Sequence, residues 1–328
     1  MVKSTLRYEC SSNYTRHRSA MLDLHKRGYG KVSIEAYDSY YLGNPLGEPL
    51  IGLCFDGEKL VGQEDYILQN VACGGTTYKA ALGINTLVDP QYRLFHGVFR
   101  KLAELTIDRM KPQADVLCAF ANEESEKYYL KYFQWKVAAK VQVYKKITRR
   151  SGPNRECLLS FIRPGRLHKD LTLKKVDEFE PDILDPAIVQ HLDNSDYLYF
   201  YKTSTFLNWK FLSNKRYDVT GYYILYEDKV KGYCATYNNG IEKKIVDIQI
   251  EDNNIKVFEK TISSLSYLAR KEGMRRIVIY ATPNCWYEKA IRRHLFIRRW
   301  DFDFITRTFN EKLPDAGWVI HVGDFDIF

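Results

Sequence analysis

The stretch 87–102 reads LVDPQYRLFHGVFRKL and decides the fold of the first half of the chain. An apolar run at 80–88 stops at Pro90, crosses a short basic and aromatic loop, and passes Gly97 into an amphipathic segment. The apolar run predicts a strand, and apolar residues at helical spacing predict that the next segment is a helix with one face on a core. The residues of that face are Phe99, Leu102, Ala103, Thr106 and Met110. Because the first N–H groups of a helix lack intrahelical partners, the loop and helix start predict an anion site suited to a pyrophosphate.

The neighbouring patterns predict an alternation of helices and strands. We expect a helix at 13–27, a hairpin of 51–55 and 60–62 across Asp56-Gly57, a strand at 115–122, a helix at 123–133 and a strand at 137–147. The pattern is interrupted at 149–153, and the second half then repeats much of this order. Residues 41–44 align with 211–214, and residues 59–62 align with 229–232 at the same offset. The chain is therefore interpreted as a duplicated α/β unit with domains at 1–150 and 151–328.

The second copy differs from the first at the loop that predicts the anion site. It has Glu251 and Asp252 there and no glycine. Two desolvated carboxylates would repel a pyrophosphate by several kcal/mol, roughly the Coulomb energy of close like charges. We therefore expect the second copy to keep the fold without the cofactor site. Farther on, residues 318–326 alternate like a strand, and we expect this strand to pair at an exposed sheet edge. The alternative is that it adds to a sheet and carries Asp324 or Asp326 to the domain interface.

Composition and charge limit the classes of function. The 328 residues are 45% hydrophobic and 27% charged, with a formal net charge of +8, which favours anionic partners. No long basic block is present, so a nucleotide-bearing small molecule explains the charge at least as well as nucleic acid. The seven cysteines form no CxxC pair and no zinc spacing. No signal peptide or membrane span is visible in the sequence, which predicts a cytoplasmic protein that binds no membrane.

The loop and helix resemble the GNAT superfamily of acyl-CoA-dependent N-acyltransferases. The family motif V-x-P-x-x-R-G-x-G-[I/V] is matched, with one extra residue before the glycine, by Val88, Pro90, Arg93, Gly97, Val98, Phe99 and Leu102. The next family motif, an Asn after a strand and a Tyr on the following helix, is matched by Asn122, Ser125 and Tyr129, with Tyr128 and Tyr132 as competing registers. The resemblance implies two tandem GNAT-like α/β domains, each with a mixed, mostly antiparallel sheet flanked by helices.

The same resemblance implies acyl-CoA as co-substrate and no metal. The residues implied to bind it are Leu87, Val88, Arg93, His96, Gly97, Val98, Phe99 and Asn122. In the family the acyl chain occupies a gap between two strands, which corresponds to residues 85–88 and 120–122 here. The first domain would bind acyl-CoA, and the second would shape the acceptor pocket.

The catalytic candidates are Tyr129, Glu64 and Asp65. A phenol beside the leaving sulfur can donate a proton without carrying charge, so Tyr129 is the candidate general acid. Glu64 and Asp65, just beyond the hairpin, are the candidate bases that act directly or through water. The plainer interpretations are a packed tyrosine and two solvated acids at a strand end.

The segments 40–47 and 206–211, which precede the two hairpins, also resemble those of tandem GNAT proteins of bacterial polysaccharide gene clusters. This resemblance implies that the acceptor is a nucleotide-linked amino sugar, such as a dTDP-linked one, and that nucleic acid is not a partner. Acylation of a protein, peptide or antibiotic amine is one alternative. The other is a non-catalytic module that binds CoA or nucleic acid, which would show salt-sensitive nucleic-acid binding and no transfer.

Overall fold

The computed structural model describes residues 6–30, 33–93, 97–148, 165–193, 195–214 and 217–325. As far as they are described, these residues divide into two compact units. Unit 1 consists of Met1–Asn70, Tyr78–Val137 and Phe304–Pro314, and unit 2 consists of Val71–Thr77, Ala138–Asp303 and Asp315–Phe328. The interruption at 149–153, where the domain boundary is predicted, lies outside the described residues.

The described chain up to residue 148 holds the elements that the sequence patterns predict, together with one strand, Arg7–Ser11, and one helix that they miss. Its strands are β1 (Arg7–Ser11), β2 (Leu50–Asp56), β3 (Lys59–Cys73), β4 (Thr76–Val88), β5 (Val116–Ala119) and β6 (Lys136–Ile147). Its helices are α1 (Tyr14–Tyr29), α2 (Ile34–Tyr41), α3 (Val98–Met110) and α4 (Glu123–Tyr132). The first helix begins where Asn13 accepts a hydrogen bond from the Arg16 N–H, as an N-cap residue does. The missed helix is α2.

In unit 1 the strands are ordered β1-β2-β3-β4-β5, and β5 pairs in turn with residues 305–308. The pairs β1–β2 and β2–β3 are antiparallel, whereas β4–β5 is parallel. Helix α3 packs closely on this sheet because Gly52 and Gly62 present no side chain to it. A Cβ at Gly62 would lie 2.6 Å from Val98 Cγ1, and one at Gly52 would lie 2.3 Å from Thr106 Cγ2. The buried face of α3 includes Leu102, Ala103, Thr106 and Met110, as the spacing predicts.

Residues from 165 onward hold the remaining elements. The strands are β7 (Leu171–Val176), β8 (Leu198–Tyr201), β9 (Val219–Tyr226), β10 (Lys229–Asn239), β11 (Glu242–Ile250), β12 (Arg276–Ala281), β13 (Ile297–Thr308) and β14 (Trp318–Val319). The helices are α5 (Pro181–Asp193), α6 (Ser204–Leu207), α7 (Ile255–Lys271) and α8 (Glu288–Arg293). A π-helical turn, Asn208–Leu212, follows α6 directly.

The sheet of unit 2 is also mixed. Its strands are ordered β13-β6-β12-β11-β10-β9-β7, and β11–β12 is parallel, whereas β6–β12, β10–β11, β9–β10 and β7–β9 are antiparallel. A hairpin, a parallel strand pair and a helix after the first strand of that pair thus occur in both units. The predicted fold class, α/β with mixed sheets flanked by helices, is confirmed. The duplication itself stays a prediction.

The expectation of an exposed edge strand at 318–326 is wrong. Strand β14 has two residues, pairs with β8, and is followed by a 3₁₀ turn at Val322–Asp324. Trp318, Val319 and Asp324 are buried. The alternation in sequence reflects burial of this segment, and Asp326 lies outside the described residues.

Candidate active site

A cavity opens where the parallel strands β4 and β5 part. The ladder consists of three pairs, Ala80–Leu82 with Val116–Cys118, and ends there. Beyond it lies an open cavity of about 90 Å³. It is lined by Gly83, Ile84, Asn85, Thr86, Ala119, Phe120, Ala121, Asn122, Ser125 and Tyr129. The cavity therefore occupies the gap that the sequence predicts between residues 85–88 and 120–122.

Two residues expected at this gap belong to the core. Leu87 is 4% exposed, and its side chain lies under Gly28, where a Cβ would come within 2.9 Å of it. Val88 packs with Cys54, Val61 and Leu102. Asn85 and Thr86 line the cavity, whereas the apolar pair after them packs in the interior.

The start of α3 has the features of an anion site. Gly97 is the N-cap residue, with a φ of 57°, and no side chain of the described residues caps the helix. A glycine adopts this left-handed conformation without steric cost. Val98 is buried, whereas Phe99 is half-buried and its ring lies edge-on to Tyr129 at a centroid distance of 5.4 Å. His96 lies outside the described residues.

Charged residues fix the loop before α3. Asp89 is 2% exposed and accepts hydrogen bonds from the Gln91 N–H at 3.1 Å and from Arg27 at 2.9 Å, and Lys59 lies 3.1 Å away. Burial alone would raise the pKa of Asp89, but these donors hold it below its usual value. Arg93 donates from Nε to the Val88 carbonyl at 3.1 Å. This contact supports the end of β4, and the exposed guanidinium remains next to the loop.

Helix α4 carries the candidate acid to the cavity. The Asn122 side chain accepts hydrogen bonds from the N–H groups of Glu124 and Ser125, so Asn122 both caps this helix and lines the cavity. Of the three tyrosine registers, Tyr129 is 4% exposed and lines the cavity, whereas Tyr128 and Tyr132 are 51% and 46% exposed. The α-helical turn thus presents Tyr129 alone of these three to the interior.

Glu64 lies directly behind Tyr129. The Tyr129 hydroxyl donates to Glu64 Oε1 at 2.9 Å, and the Tyr66 hydroxyl donates to the same oxygen at 3.1 Å. Glu64 is 0% exposed, and this burial raises its pKa to about 7 despite the two donors. Burial, followed by the Glu64 charge, raises the pKa of Tyr129 well above 10. Glu64 therefore reaches the cavity only through the phenol.

Asp65 lies on the other side of β3 in a second hydrogen-bonded group. Its Oδ2 accepts from the Tyr41 hydroxyl at 2.5 Å and from Gln63 Nε2 at 2.9 Å. Asn85 donates from Nδ2 to the Tyr41 oxygen at 2.8 Å. Burial and the nearby Glu64 raise the pKa of Asp65 well above its usual value. The sequence does not reveal this hydrogen-bonded group, because Tyr41 and Asn85 carry no motif of their own.

The corresponding strands of unit 2 also separate, but a later segment of the chain fills the space between them. Strands β11 and β12 also share three parallel pairs, Glu242–Lys244 with Arg276–Val278. Beyond them, Thr282 donates to the Trp318 carbonyl, and a Cβ at Gly323 would lie 3.0 Å from Val246 Cγ1. The segment Trp318–Asp324 therefore contacts both strands of unit 2 where unit 1 has its cavity.

A buried ion cluster holds that segment. Lys202 Nζ lies 2.8 Å from Asp247 Oδ2 and 2.5 Å from Asp324 Oδ1, and all three side chains are at most 3% exposed. Burial alone would lower the pKa of Lys202, but the two carboxylates raise it above its usual value. The helix start of unit 2 is also different, because Asn254 caps α7 with its own side chain by accepting from the Lys256 and Val257 N–H groups.

The described residues show neither a metal-binding cluster nor a helix suited to crossing a membrane. No group of three or more His, Cys, Asp or Glu side chains there is arranged to hold a metal ion. None of the described helices combines the length and the apolar character needed to cross a membrane.

Comparisons with known proteins agree with this fold. Residues 15–138 match the family model of the acetyltransferase (GNAT) domain, and no curated protein matches the chain. Among solved structures, a probable N-acyltransferase from Enterococcus faecalis V583 is similar at a TM-score of 0.70 and 12% identity, covering 93% of this chain and 73% of that one. A GCN5-related N-acetyltransferase from Anabaena variabilis follows at 0.67 and 13%, with the same coverage.

A third structure, a putative acetyltransferase from Pyrococcus horikoshii, is similar at a TM-score of 0.58 and 13% identity and covers 98% of this chain and 95% of that one. At these identities the likeness to solved structures concerns the fold alone. The sequence match covers the residues that form the cavity, the loop and α3. Over residues 15–138 this chain is therefore similar to the acetyltransferase (GNAT) domain.

Proposed function

We propose that this protein is an acyl-CoA-dependent N-acyltransferase that transfers a short acyl group to a primary amine. The observation that carries the proposal is the cavity between β4 and β5, which a buried tyrosine lines, together with an uncapped helix start in the same unit. A pyrophosphate needs the first element and a leaving thiolate needs the second. Both are present in unit 1, within the segment that matches the family model.

The residues fit the CoA moiety at the start of α3. The N–H groups of the first turn are free of side-chain caps among the described residues, and a side chain at position 97 would meet no described atom within 4 Å. The helix dipole adds a partial positive charge at the same point. Val98 and Phe99 would contribute backbone N–H groups, and Arg93 would lie beside the phosphates.

Tyr129 would protonate the leaving sulfur. When bound, acyl-CoA supplies a thioester carbon that a neutral amine can attack. The C–N bond forms and the C–S bond breaks, the amine releases one proton to water, and the sulfur gains one from the phenol. With a pKa well above 10, Tyr129 is a weaker acid than a thiol, whose pKa is ~8.5. Glu64, with a pKa of about 7, is the stronger acid and returns a proton to the phenol through their hydrogen bond.

The acceptor that we propose is a nucleotide-linked amino sugar. The net charge of +8 favours an anionic acceptor, and the segments before each hairpin resemble those of tandem GNAT proteins from polysaccharide gene clusters. In this proposal unit 2 is a second, GNAT-like domain that binds no CoA and contributes to the acceptor side.

The experiment is a transfer assay with acetyl-CoA and three amines: a dTDP-linked amino sugar, a lysine-containing peptide and the antibiotic kanamycin. Thiol release and the mass of the acetylated product are measured together, and Tyr129→Phe serves as the control. We expect the amino sugar to react fastest. Turnover of the peptide or of kanamycin alone would overturn the acceptor class, and the absence of amine-dependent thiol release with every amine would overturn the transferase.

A further inference from the structure

Asn85 has a backbone conformation that a strand does not require. It lies within β4 but has a φ of 51°, in the left-handed region that asparagine tolerates better than most residues. Such conformations cost energy and persist where the surrounding structure holds them. Here the residue lines the cavity and is half-buried. The distorted backbone therefore carries one polar side chain at the cavity wall.

The hydrogen bonds around Asn85 determine how its amide is oriented. The Tyr41 hydroxyl donates to Asp65 Oδ2, which also accepts from Gln63 Nε2. The one proton of Tyr41 is thereby committed to Asp65, and the Tyr41 oxygen can only accept. Asn85 must then direct its NH₂ group at Tyr41, at 2.8 Å, which leaves Oδ1 on the opposite side of the amide.

The remaining amide oxygen has a defined chemistry. Of the described residues, none donates a hydrogen bond to Asn85 Oδ1. An amide oxygen accepts hydrogen bonds and cannot donate them, so it selects a ligand atom that carries a proton. A primary amine has such protons and keeps its lone pair for attack while one N–H is held. An oxygen or sulfur ester of the same shape has none.

Resting on the proposed transferase function, we propose that Asn85 Oδ1 accepts a hydrogen bond from the acceptor amine and orients it toward the thioester. Tyr41 and Asp65 are positioning residues in this assignment, because they touch Asn85 and each other and fix the amide. Two adjacent carboxylates of β3 then act on the two reacting groups, the leaving sulfur and the attacking amine. Glu64 acts through Tyr129 on the leaving sulfur, and Asp65 acts through Tyr41 and Asn85 on the amine.

Kinetics of Asn85→Gly test the assignment. Glycine adopts a φ of 51° without strain, so the variant removes the side chain and keeps the backbone. With acetyl-CoA and whichever of the three amines the wild type acetylates fastest, we expect the KM for the amine to rise ~5-fold, as for loss of one hydrogen bond between uncharged groups. The KM for acetyl-CoA should stay within about twofold, since no phosphate contact is touched.

Gln134→Gly is the matched control. Gln134 is also an amide side chain at a left-handed residue, with a φ of 58°, but it is exposed and is not among the residues that line the cavity. Its substitution should leave both KM values unchanged. An amine KM within about twofold of the wild type in Asn85→Gly would overturn the assignment while the wild-type turnover upholds the transferase. Wild-type inactivity toward all three amines would remove both.

A double-mutant cycle tests the positioning role. Tyr41→Phe deletes the hydroxyl that orients the amide and should raise the amine KM ~3-fold or more, within the range of coupling between neighbours. Added to Asn85→Gly, the same change should have no further effect on the amine KM, because the amide that it orients is absent. Additive effects of the two substitutions would show that Tyr41 acts independently and would overturn its role.

Discussion

The phenol of Tyr129 donates a 2.9 Å hydrogen bond to the carboxyl group of Glu64, which lies 65 residues earlier in the chain. Tyr129 lines the cavity between β4 and β5, whereas Glu64 is shielded from it. The Glu64 carboxyl group, whose pKa is about 7, is thus linked to the cavity by its hydrogen bond with the Tyr129 hydroxyl group. This pair ties β3 to α4, so the same contact that packs the core also connects to the candidate site.

Tyr129→Phe removes the proposed proton donor while keeping the ring that packs against Phe133 and Trp135. We expect kcat to fall ~100-fold or more, the range found for general acids, while the KM for acetyl-CoA changes little. Steady-state assays at several acetyl-CoA concentrations measure both quantities. Tyr132→Phe on the exposed face of α4 is the matched control. A Tyr129→Phe variant with wild-type kcat would contradict the role of the phenol.

Glu64→Gln is expected to change how stability depends on pH. Burial raises the pKa of Glu64 from 4.5 to about 7, so between these values the unfolded chain ionises while the folded chain keeps the proton. The free energy of unfolding therefore falls as pH rises through this window, by about 3 kcal/mol for Glu64 alone. Glutamine does not ionise, so the variant should lose less stability between pH 4.5 and pH 7.5.

Urea unfolding at a series of pH values measures this difference. Below pH 4.5 both proteins carry a neutral side chain at position 64, so their difference there reports packing alone. Above pH 7.5 the free energy of unfolding of Glu64→Gln, relative to that of the wild type, should have risen by the full ~3 kcal/mol and should change no further. If the free energies of unfolding of the two proteins run parallel with pH across the whole window, Glu64 titrates normally in the folded state.

The elements of unit 1 follow from local sequence, but the groups behind the cavity do not. The Asn13 cap, the Asp56-Gly57 turn and the spacing on α3 are each contained within a few residues, and each predicts its element. In contrast, Glu64 and Asp65 look like solvated acids in sequence. Their hydrogen-bond partners, Tyr129 and Tyr41, lie 65 and 24 residues away. Burial of a polar pair depends on such distant partners, and no local pattern reports them.

Two further features could not be read from the sequence for related reasons. Asn85 has a left-handed conformation inside a strand, which the strand pattern of β4 does not reveal. The segment 318–324 alternates like an exposed strand, although it is buried against unit 2 strands by Lys202 and Asp324. An ion pair between residues so far apart in sequence leaves no periodic signal. In both positions tertiary contacts override the local preference.

Lys202→Met tests the buried cluster of unit 2. Methionine keeps most of the length of lysine but leaves Asp247 and Asp324 buried without their cation. We expect the free energy of unfolding to fall by about 3–5 kcal/mol, as for a broken buried ion pair. Lys231→Met is the control, because the Lys231–Glu251 pair is partly exposed and should contribute no more than about 1 kcal/mol. Equal losses in the two variants would mean that burial does not set the strength of the cluster.

Gly97→Glu should abolish CoA binding without a comparable loss of stability. The helix start of unit 1 lacks a side-chain cap among the described residues, whereas Asn254 caps that of unit 2, and Glu251 and Asp252 adjoin it. We therefore expect the wild-type chain to bind one CoA, in unit 1. A carboxylate at position 97 would stand where a phosphate binds, and the repulsion of two close charges should weaken binding ~100-fold or more.

Gly57→Glu separates the charge from the backbone cost. Gly57 has a φ of 60°, close to the 57° of Gly97, and at both positions a Cβ would meet no described atom within 4 Å. Both variants thus carry the same left-handed strain, about 1 kcal/mol, and the same added charge. Calorimetry should show one CoA per chain for the wild type and for Gly57→Glu, and none for Gly97→Glu. A residual site of wild-type affinity in Gly97→Glu would place the CoA phosphates away from this helix start, and two sites in the wild type would restore a binding role to unit 2.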